Sequence, residues 1–229
     1  STAVKWVISC APFGIMGLIF NVISESGLKA LLSYGRLILV LVGSMAFVAL
    51  IMNPLIVFFC SRKNPYPLVF KCLVRSFITA FFTRSSAANI PVNMELCKKL
   101  GLDEDTYSIS IPLGATINMD GTAIYQGVCA IFIASCYGIQ LTLPQMLTIV
   151  LTATLAFIGT AGVPGAGMVM LAMVLTSVGL PVDGIALVAG VDRIFDMGRT
   201  TVNITGDAAC TVIVSNLEAK REARKITNN

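Results

Sequence analysis

Apolar positions fill this chain in runs long enough to cross a bilayer, and polar positions interrupt them at a few defined places. Residues 4–23 run apolar through Pro12 and Gly14 to Ile23, enough to cross about 30 Å of hydrocarbon. A polar link over residues 24–36 leads to a second apolar run over 37–60. That run ends in Ser61-Arg62-Lys63-Asn64-Pro65-Tyr66-Pro67, whose charges and prolines predict a cytoplasmic loop. Between residues 68 and 97 two short apolar arms flank the polar centre Thr83-Arg84-Ser85-Ser86-Ala87-Ala88-Asn89. Each arm is too short to span, so the pattern predicts a re-entrant helical hairpin. The apolar run over 106–138 is broken by Asn118-Met119-Asp120-Gly121-Thr122, which predicts locally unwound backbone with carbonyls free to bind. The uncharged stretch 142–179 is interrupted by a glycine-rich segment from Gly159 to Gly167, predicting a second hairpin with a flexible tip. A polar-striped span over 182–216 and a basic tail over 217–229 complete the chain, and the tail predicts a cytoplasmic C-terminus.

The striped span organises the rest. At about 100° per residue, Asp192, Asp196, Arg199, Asn203 and Asp207 fall within an arc of roughly 80°, with the mostly apolar Ile194, Met197, Val202 and Ile204 opposite. From Thr106 to Leu217 the charged residues are Asp120, Asp183, Asp192, Arg193, Asp196, Arg199 and Asp207, so the charge is concentrated in this one stretch. An ionisable group at the bilayer centre costs about 2.5–3.5 kcal/mol, so the stripe must face a protein interior or a water-filled site.

Composition agrees with the pattern. With 56% hydrophobic and 12% charged residues and a mean hydropathy of +0.85, the chain lies far from soluble domains. The net charge of +4 gathers in connecting segments and gives no support to nucleic-acid binding. Seven cysteines without C-x-x-C spacing read as packing residues, and the absence of His argues against zinc or a His-dependent triad. With no initiator Met or signal peptide, the sequence opens almost at once into a span, the pattern expected if N-terminal spans precede it. Hairpin, broken span, hairpin and striped span form an apparent inverted repeat, the layout of a secondary transporter. An intramembrane aspartyl protease would need two carboxylates sharing a proton, which Arg199 disfavours by keeping its neighbours ionised. An ion channel is the other class that carbonyl-lined broken helices suit.

Asn118-Met119-Asp120-Gly121-Thr122-Ala123, the Gly-Val-Pro-Gly-Ala-Gly tip and the run from Asp196 to Asp207 closely resemble the signatures of the dicarboxylate/amino acid:cation symporter family. The resemblance implies an all-α integral membrane protein with a glutamate-transporter-like elevator fold, two re-entrant helical hairpins and inverted repeats. Residues 1–67 would link scaffold and transport domain, residues 68–216 would form the transport domain, and the full-length protein would be a homotrimer in the cell membrane. It implies no enzyme activity. Asp196 would hold the substrate's α-amino group and Arg199 a side-chain carboxylate, with Thr122, Thr200 and Asn203 adding polar contacts and Ser86, Val163 and Gly165 adding backbone groups. One Na+ site would use Asp207 with carbonyls of Gly114, Asn118 and Asn203, and a second would use carbonyls of Thr116, Phe157, Ile158 and Thr160. A third would involve Asn118 and Asp120. Hard oxygen donors suit a small hard cation, and the planar fork of Arg suits a carboxylate, which favours an acidic amino acid or dicarboxylate carried with sodium. Ala87 stands where acidic carriers commonly have a third Ser. That keeps open a neutral (serine/threonine) or cystine carrier, as well as a proton-coupled glutamate carrier; an internal ion-pair network around Arg199 is the alternative to a substrate carboxylate.

Overall fold

The computed structural model describes Leu32 and residues 34–227. The expected span over 4–23 and most of the polar link over 24–36 therefore lie outside the described residues, as do the last two residues of the tail and the side chains of 220 and 222–227. Every regular element among the described residues is helical, without strands.

Helix α1, Tyr34–Ser61, carries a π-helical turn at Val48–Met52 and stops at Arg62, which is left-handed (φ 56°). Helices α2, Tyr66–Thr83, and α3, Ser86–Lys99, form the first hairpin. Their junction combines a left-handed Arg84 (φ 54°), whose N–H closes α2 on the Ala80 carbonyl, with Ser85, whose hydroxyl caps α3 by accepting from the Ala88 N–H at 3.2 Å. Helix α4, Glu104–Ile117, starts on Asp103, which accepts from the Thr106 N–H and hydroxyl, both at 2.8 Å. Those bonds hold the exposed Asp103 carboxyl below its ordinary pKa. Helix α5, Asp120–Cys136, follows after a break at Asn118 and Met119. Helices α6, Leu143–Phe157, and α7, Ala166–Ser177, form the second hairpin. Thr142 and Gln145 make a capping box at its entrance, and Gly159 (φ 83°) and Gly165 (φ 80°) take positive φ at its tip, where only glycine turns without strain. Helix α8, Ile185–Thr227, runs unbroken to the end of the described chain.

One expectation needs correction. The first arm of the first hairpin has 18 residues and is long and apolar enough to cross a membrane; the 14-residue α3 is the short arm. Lys71 and Arg75 dilute the arm without shortening its helix. The basic tail is helical as far as Thr227, because Leu217, Glu218, Ala219 and several residues after them are good helix formers and carry α8 onward.

The main core joins α1, α5, α6, α7 and the first half of α8 around Leu41, Tyr125, Ile133, Ile149, Leu171 and Phe195. Three small clusters bind the first hairpin and α4 elsewhere: Val57 with Val69 and Ala209, Cys72 with Leu96 and Ala208, and Cys97 with Tyr107 and Ile111. Leu39, Phe82, Leu143, Val150 and Val169 point outward, an apolar exterior that suits lipid or another protein surface. Cys72, Cys97 and Cys129 are buried packing residues as expected, whereas Cys60, Cys136 and Cys210 are exposed.

Candidate substrate and cation site

Residues 201–209 of α8 are all buried, including Val202 and Ile204 on the side opposite the stripe, so the helix is enclosed all round at this level. Into this interior α8 sends Asp192, Asp196, Arg199, Asn203 and Asp207, each at most 6% exposed. Arg199 is met by Asp192 Oδ1 at 3.0 Å and by Asp196 Oδ1 at 2.9 Å, and its guanidinium lies 4.3 Å above the Tyr125 ring. The second oxygen of Asp196 accepts from the Gly165 N–H at 3.0 Å and lies 3.8 Å from Arg84. Asp192 and Asp196 thus neutralise the buried guanidinium, whose Nη2 is within ion-pair distance of Asp196 but has no hydrogen-bond partner.

Ser86, Thr122, Val163, Asp196, Arg199, Thr200 and Asn203 all line one cavity of about 20 Å³, whereas Gly165 lies outside the lining and bonds Asp196. The volume holds about one water. The tips are in direct contact. The Gly162 carbonyl accepts from the Ser85 hydroxyl at 2.7 Å and from the Ala87 N–H at 3.1 Å. Close backbone approach also explains two glycines: a Cβ on Gly121 would stand 2.7 Å from the Arg199 carbonyl, and one on Gly167 would stand 2.9 Å from Arg199 Cζ.

Residues of the first expected cation set lie side by side, with the Gly114 carbonyl engaged by the Asn118 N–H at 2.8 Å. Asn118 Nδ2 donates to Asp207 Oδ1 at 3.0 Å and to the Asn203 carbonyl at 3.1 Å, while Gly114 packs so closely that a Cβ there would lie 2.7 Å from Asp207 Oδ1. An N–H donor thus bridges two oxygens of the kind a small cation would bridge. Asn203 braces the same break by accepting from the Gly121 N–H at 2.8 Å and donating to Thr122 Oγ1 at 3.2 Å. The second set meets where the Thr116 carbonyl accepts from the Gly159 N–H at 2.9 Å, beside Phe157, Ile158 and Thr160. In this conformation the Thr116 and Phe157 carbonyls are engaged by the Gly159 and Thr160 N–H groups. Asp120 opens α5 just after the break and is only partly buried. Among the described residues no three His, Cys, Asp or Glu side chains cluster as a metal site.

Sequence reasoning missed two contributors. Arg84, whose left-handed backbone its residue type does not reveal, lines the cavity, and Tyr125 lies outside the lining as the ring beneath Arg199. A Tyr three residues after Thr122, on the same side of α5 and surrounded by apolar residues, was the available signal.

An all-helical membrane carrier is the class that these hairpins, this broken helix and this buried polar stripe define. The sodium:dicarboxylate symporter family matches residues 1–217, and the chain belongs to that family. It is similar to the serine/threonine transporter SstT of Bifidobacterium adolescentis, 47% identical over 90% of this chain and 49% of that protein. It is also similar to the proteins of the same name from Streptococcus agalactiae, at 48% over 93% and 54%, and from Streptococcus suis, at 56% over 75% and 48%. The chain spans about half the length of these relatives.

Proposed function

We propose that this chain forms the substrate- and cation-handling part of a sodium-coupled symporter for small neutral hydroxy amino acids, serine and threonine. The observation that carries this reading is the pairing of Arg199 with Asp192 and Asp196. Two carboxylates already outweigh the single charge of this arginine, so although its Nη2 has no hydrogen-bond partner of its own, a third carboxylate in that buried cluster would face like charges. The acidic substrate favoured by the arginine alone therefore gives way to the neutral alternative. Ala87 in the first hairpin and the names of the relatives point the same way.

In this reading Asp196 takes the substrate ammonium, exchanging part of its contact with the Gly165 N–H. The N-terminus of α3 offers the Ser86 amide to the α-carboxylate, the next two amides being engaged by the Gly162 carbonyl and the Ser85 hydroxyl. Thr122, Thr200 and Asn203 supply hydrogen bonds, which suits a hydroxyl side chain. Sodium, carried as a second substrate, competes with the Asn118 amide for Asp207. The break at Asn118 joins the second hairpin through the bond from Gly159 to Thr116, so cation binding and gate closure bias one element. Movement follows the elevator scheme of the family resemblance, in a homotrimer of the full-length protein, with the C-terminus cytoplasmic.

The test is uptake of labelled L-serine into proteoliposomes carrying the full-length protein, under an inward sodium gradient or in choline, with threonine or aspartate as competitor. Concentrative, sodium-dependent uptake that threonine inhibits and aspartate does not is the expected result. Strong competition by aspartate would return Arg199 to the role of substrate-carboxylate ligand. Equal uptake in choline would make protons the driving ion.

A further inference from the structure

The tips of the two hairpins meet at a single carbonyl. Ser85 uses both capacities of its hydroxyl: the oxygen accepts from the Ala88 N–H and so caps α3, and the proton goes to the Gly162 carbonyl at 2.7 Å. The same carbonyl accepts from the Ala87 N–H, an amide of the first turn of α3 that has no partner within its own helix. The second hairpin therefore completes the cap of a helix in the first, where the positive end of the helix dipole favours an acceptor oxygen. The seat is tight. A Cβ on Gly162 would stand 3.0 Å from Ser86 Cβ and 3.1 Å from both the Ala115 carbonyl and the Ala87 nitrogen. Two further amides of the same tip are held once it is seated, Gly159 on the Thr116 carbonyl and Gly165 on Asp196.

We infer that Ser85 is a positioning residue whose hydroxyl latches the second hairpin to the first through the Gly162 carbonyl and sets how often the site opens. Opening must break this bond together with the one from Ala87, and the amides of Gly159 and Gly165 are exposed only in the opened form. The latch presupposes the carrier function proposed above but is indifferent to which solute is carried.

Hydrogen exchange of the full-length protein, read by mass spectrometry on a peptide covering residues 159–166 without substrate, tests it. Ser85→Thr keeps both halves of the device, Ser85→Asp keeps the cap on α3 but has no proton to donate, and Ser85→Ala loses both. Loss of one hydrogen bond corresponds to exchange roughly two- to tenfold faster at the tip of the second hairpin. That increase is expected in the Ala and Asp variants and not in the Thr variant, with the first turn of α3 still protected in Ser85→Asp. If the Asp variant protects the tip as the wild type does, Ser85 is only a helix cap and the latch is refuted. An unchanged tip in Ser85→Ala refutes it equally. Failure of serine uptake with this exchange pattern intact would overturn the substrate reading and leave the latch standing.

Discussion

The two hairpins have the same outline and opposite means of attachment. In the first, buried polar side chains tie an arm to α8: Ser76 donates to Asn93 Oδ1, Asn89 donates to the same oxygen at 3.1 Å, and Asn93 Nδ2 donates to the Ile204 carbonyl at 3.0 Å. In the second, the hydroxyls of Thr148, Thr154 and Thr176 bond only carbonyls of their own helices, and the arms pack by apolar contact on α5. Its polar ties to the rest of the site come from the tip backbone at Gly159, Gly162 and Gly165. A wall pinned along its length and a flap held at its point follow from this difference. The second hairpin can part from the site by breaking a few backbone bonds, whereas the first can move only together with α8.

The largest effect that would break the contrast is expected at Asn93. Asn93→Ala removes the shared acceptor of two fully buried donors, at a cost of about 3 kcal/mol, and thermal unfolding of the purified protein should show a clear fall in Tm. A Tm equal to wild type would mean that the first hairpin is not pinned by these bonds. Gly162→Ala comes next and should separate function from folding: the added methyl props the tip away from Ala87 and Ala115, reducing uptake about tenfold, a barrier near 1.4 kcal/mol, while Tm changes little. A Tm drop matching that of Asn93→Ala would make the flap as structural as the wall. Thr154→Ala should have the smallest effect, within about 0.5 kcal/mol of wild type, because its hydroxyl bonds only its own helix at an exposed position.

Most of the site was legible because uncompensated polar residues are conspicuous in an apolar chain. Asn118 to Thr122, the glycine tip and the α8 stripe stood out for that reason, and the structure brings Asp196, Arg199, Thr122 and Asn203 around one cavity. Arg84 was legible only as part of a polar tip, since a left-handed residue other than glycine leaves no mark in the sequence. The Asn93 ladder was also passed over, although Ser86, Asn89, Asn93 and Cys97 recur at helical spacing on one side of α3 and all are buried. Small polar residues among charges read as surface, and only packing against Ile204 shows otherwise. Arg199 could be read either way, because residue type alone does not say whether its counter-ion belongs to the protein or to the cargo.

Helix α8 carries the polar stripe and the basic C-terminal turns in one uninterrupted rod of 43 residues, about 65 Å at 1.5 Å per residue. Asp196 and the exposed Arg221 are therefore fixed to one axle. Whatever angle the stripe adopts toward its surroundings, the far end turns through the same angle, so a probe attached at position 221 would act as a dial for a site it never touches.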